Sequence, residues 1–254
     1  KDMCFQIQSG SSIGIVGRSG VGKTSIIDLL LRFYKPERGQ IVLDGYDLQK
    51  LKLSSVRKQI GVITQDPCLF EGTIEENIKF GSDNPVSTEQ MMEAAKQADA
   101  HDFIMNCPDQ YQTNVGIRGS GLSNGQAQRI AIARMLLCDP KVIVFDEATA
   151  SLDSMSERQI QQTLLKLKGD KTIIMIAHRL PAIMNMDQII VLGHEGEVVE
   201  QGEFMDLIHK KDVFYRLYEM QFGGYHQFMD HLNLFSMMQV KFHNLLQPKV
   251  LVGL

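Results

Sequence analysis

A glycine-rich stretch ending in lysine and threonine is the part of this sequence best suited to chemistry. Residues 17–24 read Gly-Arg-Ser-Gly-Val-Gly-Lys-Thr and fit the phosphate-binding pattern G-x-x-x-x-G-K-[ST]. Its glycines let backbone N–H groups approach phosphate oxygens without a Cβ in the way. We expect Lys23 to reach the β- and γ-phosphates and the Thr24 hydroxyl to hold Mg²⁺. The pattern predicts a nucleoside triphosphate site.

The segments on either side have the character that such a loop requires. The apolar run 13–16 predicts a buried strand before it, and the leucine-rich segment 25–33 predicts a helix after it. That helix would direct the positive end of its dipole at the same anion. A chance match in a glycine-rich turn is the alternative, which the strand and helix disfavour. The residues expected to contact the nucleotide here are Gly17, Arg18, Ser19, Gly20, Val21, Gly22, Lys23, Thr24 and Ser25.

A second apolar run ends in two acidic residues. Residues 142–147 read Val-Ile-Val-Phe-Asp-Glu, the Walker B pattern. Nucleotide hydrolysis needs a carboxylate for Mg²⁺ and a group that positions the attacking water. We expect Asp146 to coordinate Mg²⁺ and Glu147 to orient or deprotonate that water. The alternative, that these acids merely open a turn, is disfavoured by the phosphate loop.

Composition limits the other possible functions. The net charge of −4 and the hydrophobic fraction of 44% fit a globular protein and show no footprint for nucleic acid, so we expect no nucleic acid partner. The four cysteines form no C-x-x-C pair, which predicts reduced thiols in a reducing, cytosolic setting. No run of eighteen or more apolar residues predicts a membrane span. Because the chain begins with lysine, we expect that an upstream part is missing.

Alternating apolar runs and helical patterns predict an α/β fold with a mainly parallel sheet. Strands are predicted at 13–16, 41–43, 60–64, 142–145, 172–177 and 188–192, with 188–201 as an antiparallel edge hairpin. Helices are predicted at 73–80, 88–98, 124–137, 205–210 and 213–220. The predicted organisation is a nucleotide-binding domain over 1–221, with a catalytic core of 1–72 and 141–221, an inserted helical subdomain of 73–140, and a tail of unknown role over 222–254.

Five motifs in order resemble the nucleotide-binding domain of an ATP-binding-cassette (ABC) transporter, from about Met3 to Gln221. Besides the two motifs above, Leu-Ser-Asn-Gly-Gln at 122–126, with Ala-Gln-Arg after it, resembles the family signature. Val-Ile-Thr-Gln-Asp-Pro at 62–67 resembles the Q-loop, and Ile-Ala-His-Arg-Leu at 176–180 resembles the switch-histidine region. Residues 146–153 resemble Walker B running into the D-loop, and the segments 67–78 and 113–119 resemble those of exporters.

The resemblance implies a RecA-like P-loop core that hydrolyses ATP with Mg²⁺ at the cytoplasmic face of a membrane and powers the transmembrane domains of an exporter. It implies that Ser123, Gly125 and Gln126 close on a nucleotide held by a second such domain, in a homo- or heterodimer with two ATP molecules between them. The implied catalytic residues are Glu147, His178, Gln65 and Lys23, and the implied metal ligands are Thr24, Gln65 and Asp146.

The sequence departs from the family pattern at three points. Asn124 replaces the first glycine of the signature, and Ile117 replaces a glutamate of the exporter stretch. The adenine-stacking aromatic expected upstream of the phosphate loop has no counterpart, since only sixteen residues precede Gly17, and we expect Phe5 to lie in a core strand. We expect Asn124 to slow hydrolysis while leaving ATP binding largely intact.

Two other functions stay open at this point. The first is a catalytically weak regulatory cassette of an asymmetric transporter pair, to which Asn124 gives some weight. The second is a soluble ABC ATPase that acts on DNA or ribosomes, which the lack of a basic patch or heptad run disfavours.

Overall fold

The structure is a computed structural model that describes residues 3–116, 119–148, 154–177 and 179–222. The described strands are β1 (Ser12–Gly17), β2 (Val42–Leu43), β3 (Tyr46–Asp47), β4 (Ile60–Thr64), β5 (Gly72–Thr73), β6 (Asn114–Val115), β7 (Val142–Asp146), β8 (Thr172–Ile176), β9 (Gln188–Leu192) and β10 (Val198–Gly202). The described α-helices are α1 (Lys23–Leu30), α2 (Leu53–Gln59), α3 (Ile74–Lys79), α4 (Thr88–Gln97), α5 (His101–Met105), α6 (Asn124–Leu137), α7 (Ser154–Leu167), α8 (Phe204–Lys210) and α9 (Val213–Phe222).

A six-stranded sheet in the order β10-β9-β1-β8-β7-β4 forms the centre of the fold. Five of its strands run parallel, and β10 joins the edge antiparallel to β9. The prediction of a mainly parallel sheet with an antiparallel edge hairpin is therefore confirmed. Asp146 is aligned with Thr64 on one side and with Ile176 on the other, so β4, β7 and β8 end at the same level.

The sheet is buried on both faces, which explains why its strands are continuous apolar runs in the sequence. On β7, Val142 and Val144 face a cluster that includes buried residues of α1 and α2. Ile143 and Phe145 face a second cluster, to which α6, α7, α8 and α9 contribute. The result is a sheet with a helical layer on each side, an arrangement that leaves the ends of the strands to carry function.

Helices α3, α4 and α6 pack together beside the β4 edge of the sheet. Each begins with a capping box, in which a Ser or Thr side chain and a Glu or Gln three residues later satisfy each other's backbone N–H groups. Their capped amino ends explain why the sequence located these helices well, with α6 found over the predicted residues 124–137. The division of the chain into a core and a helical subdomain over 73–140 stays a prediction.

The predicted strand at 41–43 differs from the structure. It forms only as β2 and pairs with β3 in a separate hairpin rather than with the main sheet. The reason is the turn between them, where Asp44 and Gly45 have φ of 50° and 83° and reverse the chain after two residues. The sequence analysis also missed the pair β5–β6, which lies at the start of and within the segment predicted to be helical. Two-residue strands leave no periodic signal in a sequence.

Three helices, α2, α5 and α7, are absent from the sequence predictions. The first two are short, with seven and five residues. Helix α7 is longer but polar, and Ile160 and Leu164 are its deeply buried hydrophobic side chains. Phe5 is a further correction: it packs half-buried against the core but lies outside any strand.

Several sequence predictions fall outside the described residues, namely those on His178, the D-loop segment 149–153, Ile117 and the tail from 223 onward. Within the described part of the chain, no helix is both long and apolar enough to cross a membrane. The four cysteines are free thiols.

Candidate functional site

The predicted site residues on or after β1, β4 and β7 lie where these parallel strands end, whereas Ser123, Gly125 and Gln126 lie at the amino end of α6. The phosphate loop follows β1, Asp146 ends β7, and Gln65 follows the last residue of β4. The segment that carries His178 follows β8, which lies between β1 and β7. In open parallel sheets, ligands bind in the crevice beyond the carboxyl ends of the strands. The fold therefore brings these separate motifs to the place where an α/β protein binds its ligand.

The phosphate loop leads from β1 directly into α1. Gly20 and Gly22 have φ of 83° and 98°, a backbone region that disfavours residues with a Cβ. Gly22 also caps the amino end of α1, where no side chain accepts a hydrogen bond from the helix. The first N–H groups of α1 are thus available to an anion, in the manner expected of a phosphate-binding loop.

The Lys23 side chain folds back into this loop and is only 5% exposed. Its Nζ donates hydrogen bonds to the carbonyl oxygens of Gly17 and Arg18, at 3.1 and 3.0 Å. Burial lowers the pKa of Lys23, while the charges of Glu147 and Asp146 oppose that shift. A buried ammonium group is costly unless it is paired, so the loop holds a positive charge whose strongest partner would be an anion.

Asp146 lies near Thr24 and Glu147. Burial, followed by the charge of Glu147, raises the pKa of Asp146, and a hydrogen bond from the Thr24 side chain opposes the shift. Asp146 Oδ1 is buried without a hydrogen-bond partner. A buried carboxylate oxygen left unpaired costs stability, and a hard cation such as Mg²⁺ is the partner that its chemistry favours.

A hydroxyl and a carboxylate therefore fit Mg²⁺ at this position. Among the described residues, no group of three or more His, Cys, Asp or Glu side chains surrounds a common point. Mg²⁺ commonly takes one or two protein ligands and completes its shell with water and substrate phosphates. Thr24 and Asp146 match that usage.

Glu147 has a backbone conformation that is unusual for its type, with φ of 52°. Its N–H donates a hydrogen bond of 3.0 Å to the Ile176 carbonyl at the end of β8, which fixes the peptide just beyond the sheet. Non-glycine residues in this region cost on the order of 1–3 kcal/mol, and such strain clusters at functional sites. The hydrogen bond and the unusual φ together fix the backbone of Glu147 just beyond the carboxyl end of β7, where nucleotide would bind.

Gln65 is exposed and is the first residue after β4. Thr64, which precedes it, is aligned with Asp146 across the β4–β7 pair. The Thr64 hydroxyl donates to the Asp66 carbonyl at 2.9 Å, forming a tight turn around Gln65. The alignment puts Gln65 at the level of the two acidic residues.

The signature residues form the amino end of α6. Ser123 Oγ accepts from the Gln126 N–H at 3.2 Å, and Gln126 Oε1 accepts from the Ser123 N–H at 2.9 Å. Ser123 and Asn124 are exposed, whereas Gly125 is buried. A Cβ at Gly125 would overlap the Ser156 side chain on α7, which explains the glycine there.

Sequence reasoning missed one support of the phosphate loop, the turn between β9 and β10. Gly196 in this turn is buried, has φ of 82°, and lies against the loop so closely that an added Cβ would be 3.0 Å from the Val21 carbonyl oxygen. The sequence signal was a glycine in a short polar turn, which predicts the hairpin but not its contact. The contact arises because β9 pairs with β1, the strand that leads into the loop.

Comparison with known proteins agrees with this geometry. Residues 1–150 match the family model for the ABC transporter. The chain is 47% identical over 225 residues to multidrug resistance protein 1 of Entamoeba histolytica, covering 88% of this chain and 17% of that protein. It is 45% identical over 216 residues to ABC transporter B family member 14 of Arabidopsis thaliana, covering 85% of this chain and 17% of that protein.

A bacterial relative and a solved structure show the same similarity. The chain is 44% identical over 222 residues to the ATP-dependent lipid A-core flippase of Syntrophus aciditrophicus, covering 87% of this chain and 37% of that protein. It superposes with a TM-score of 0.83 and 40% identity on a bacterial Atm1-family ABC exporter solved with ATP bound, covering 87% of this chain and 38% of that one. The chain thus spans less than two fifths of the length of each of these proteins.

Proposed function

This chain belongs to the ABC transporter family, and from that membership we propose that it is the exporter nucleotide-binding domain, which binds ATP with Mg²⁺ and hydrolyses it to drive transport by partner transmembrane domains. The observation that carries the proposal is the meeting of Lys23, Asp146 and Glu147 beyond the carboxyl ends of the sheet. One buried cation and two carboxylates suit a metal-bound triphosphate better than any uncharged ligand.

Lys23 and the phosphate loop would bind the phosphates. The Lys23 ammonium would exchange two neutral carbonyl partners for charged phosphate oxygens, which adds the attraction between opposite charges to each hydrogen bond. Backbone N–H groups of residues 17–25 would hold the remaining oxygens, together with the amino end of α1. Lys23 already lies inside the loop, so its hydrogen-bond partners would change while the side chain stays close to its present position.

The residues that would hold Mg²⁺ are Thr24, Asp146 and Gln65. When bound, the ion neutralises charge on the phosphate oxygens. Asp146 supplies a buried oxygen that has no other partner, and Thr24 supplies the neighbouring hydroxyl. Gln65 is placed at the same level by the alignment of Thr64 with Asp146. A cation here would also relieve the repulsion between Asp146 and Glu147.

Glu147 is the proposed group that positions and deprotonates the attacking water. It is half-buried beside Asp146, and a rigid strand end fixes its backbone. His178 is proposed as the switch residue next to the γ-phosphate, because its segment follows β8 between the phosphate loop and Asp146. Phosphoryl transfer depends mainly on positioning and charge stabilisation, and these residues provide both.

A second nucleotide-binding domain would complete each site. Ser123 and Asn124 are exposed at the amino end of α6, where Ser123, Gly125 and Gln126 would face the nucleotide of a partner domain. An exposed helix start with a hydroxyl cap is suited to an anion. We propose a head-to-tail pair, either of two copies or of two different domains, in which Asn124 slows turnover.

The transmembrane partners would contact the segments 67–78 and 113–119, and the domain would then lie at the cytoplasmic face of a membrane. The similar proteins support export as the direction, since they include a lipid A-core flippase and an Atm1-family exporter. They give no preference to a purely regulatory cassette over an active one. The transported substrate would be selected by those partners.

Nucleotide affinity tests this proposal with a matched pair of lysine variants. Lys23→Met should weaken ATP binding by about ten- to a hundredfold, because hydrogen bonds to a charged group contribute about 1.5–3 kcal/mol. Lys171→Met is the control: Lys171 is also buried and pairs with Asp139, but it lies at the amino end of β8. Titration calorimetry of both variants should show the loss for Lys23 alone. Equal affinities in the two variants would contradict the proposed phosphate site.

A further inference from the structure

Gln128 is a fully buried polar residue on α6, in the Ala-Gln-Arg stretch that follows the signature, and the proposed chemistry gives it no role. Its side chain is 0% exposed. Its Nε2 donates a hydrogen bond of 3.1 Å to the Thr64 carbonyl, while its Oε1 is buried without a hydrogen-bond partner. An unpaired buried amide oxygen costs about 1–3 kcal/mol, so most positions of this kind would favour an apolar residue. A buried amide at this cost points to a role that an apolar residue could not fill.

The contact joins two parts of the site that the sequence keeps far apart. Thr64 is the last residue of β4, and Gln65 follows it directly. Among the described strands, none pairs with the outer side of β4, which is an edge strand of the main sheet. Gln128 supplies a donor there, at the point where the chain leaves the sheet toward Gln65.

The other end of the same helix carries the signature. Ser123 caps α6, and Gln128 lies five residues further along the chain, within the same continuous helix. A helix of fourteen residues moves as a unit, so a displacement at its amino end reaches Gln128. One side chain thus connects the signature end of the helix with the turn around Gln65.

We propose that Gln128 is a positioning residue that couples the signature end of α6 to Gln65. The inference rests on the proposed function, in which Ser123 faces the nucleotide of a partner domain and Gln65 faces the nucleotide of its own. Closure of the partner's site on Ser123 would shift α6, and the Gln128–Thr64 hydrogen bond would pass that shift to Gln65. The two nucleotide sites of a pair would then sense each other through this bond.

The amide has one productive orientation. Only its N–H group can face the Thr64 carbonyl, because rotation by half a turn would bring two oxygens together. Leucine or methionine at 128 would keep the volume but leave the carbonyl without its donor. Removal of the donor should therefore release the turn around Gln65 while the core stays filled.

A double-mutant cycle on Mg²⁺-dependent ATP affinity tests the link between Gln128 and Gln65, on which the coupling depends, in the chain itself. Gln128→Met should weaken affinity for ATP with Mg²⁺ by about three- to tenfold, corresponding to one hydrogen bond of about 0.5–1.5 kcal/mol. It should not change affinity for ATP without Mg²⁺. In a Gln65→Ala background, Gln128→Met should have no further effect, since residues that act through one another are not additive. Additive losses would show a merely structural role and overturn the inference.

Thr163→Val is the matched control. Thr163 is a buried polar residue whose hydroxyl donates to Gln159 within its own helix, so it is unconnected to Gln65. This variant should leave both affinities unchanged. Loss of Mg²⁺-dependent affinity in Thr163→Val equal to that in Gln128→Met would also overturn the coupling. If the unaltered chain failed to bind ATP, the proposed function itself would be contradicted, and that result is distinct from an additive cycle.

A measurement on the unaltered sequence covers the case in which Gln128→Met does not fold. In NMR spectra of the labelled chain, the Gln128 side-chain amide should be protected from hydrogen exchange, and its resonance should shift when ATP with Mg²⁺ is added. The exposed Gln97, which bonds to Glu93 in its own helix, serves as the reference. An unshifted Gln128 amide in a nucleotide-saturated chain would overturn the inference.

Discussion

At the scale of a single residue, Asp146 lies in surroundings that destabilise its ionised carboxylate and that suit the proposed binding of Mg²⁺. Its carboxylate is held where burial and Glu147 both disfavour the charged form. Its unpaired oxygen adds to that cost. No feature of the sequence around Asp146 predicts these energies, although the apolar run before it does predict that an acid lies at a strand end.

We predict that Asp146→Asn stabilises the nucleotide-free chain while it removes the response to Mg²⁺. A raised pKa in the folded state means that the wild type loses stability as pH rises from the ordinary carboxyl pKa through the raised value. The asparagine variant has no such loss, so its higher Tm should appear at neutral pH and vanish under acidic conditions. Thermal unfolding across pH measures this.

The same unfolding experiment contains its own control for function. ATP with Mg²⁺ should raise the Tm of the wild type by several degrees, because ligand binding to the folded state stabilises it. The added Mg²⁺ should contribute little to the Tm of Asp146→Asn. A variant that is less stable than the wild type at neutral pH, or that responds fully to Mg²⁺, would contradict the role given to Asp146.

At the scale of elements, the phosphate loop is supported by a hairpin that is remote in sequence. The turn between β9 and β10 packs Gly196 against the Val21 carbonyl. The pairing of β9 with β1 creates this contact. The conformation of the phosphate loop is thus supported by the β9–β10 turn as well as by the loop's own glycines.

Gly196→Ala should weaken ATP binding severalfold, because its Cβ would press on the Val21 carbonyl from 3.0 Å. Gly45→Ala is the control: the φ values of the two glycines are 82° and 83°, but a Cβ at Gly45 would meet nothing within 4 Å. Both variants carry the strain of a positive φ, on the order of 1 kcal/mol. ATP affinity should therefore fall in Gly196→Ala and stay unchanged in Gly45→Ala; equal affinities would rule out a supporting role for the turn.

The elements also show which parts of the fold the sequence can predict. Helix α6 was located to the residue, and the structure shows a capping box at its amino end. Strands with apolar residues on both faces were located within one or two residues. Helix α7 was missed although its apolar residues are spaced for one helix face, whereas the two-residue strands leave no periodic signal in the sequence. The sequence therefore predicts the continuous apolar strands well and the two-residue strands poorly.

At the scale of the whole molecule, the separate motifs become one site because parallel strands end together. The apolar runs in the sequence predicted where these strands end, and the sheet order β1-β8-β7-β4 brings the strand ends side by side. The buried partners Gln128 and Gly196 were not predictable as site residues, since their contacts join segments far apart in the chain. The motifs therefore predict the candidate site residues at the strand ends, whereas the buried residues that pack against them are seen only in the structure.

The proposed ATP hydrolysis depends most directly on Glu147, which follows β7 in a strained backbone conformation. The most direct measurement is phosphate release from saturating ATP with Mg²⁺ by the wild type and by Glu147→Gln, with ATP affinity measured in parallel. We predict that both bind ATP equally well and that turnover falls by about 10²–10³ in the variant, the usual loss for a preorganised catalytic group. Equal turnover in the two proteins would contradict the assignment of this site as an ATPase centre.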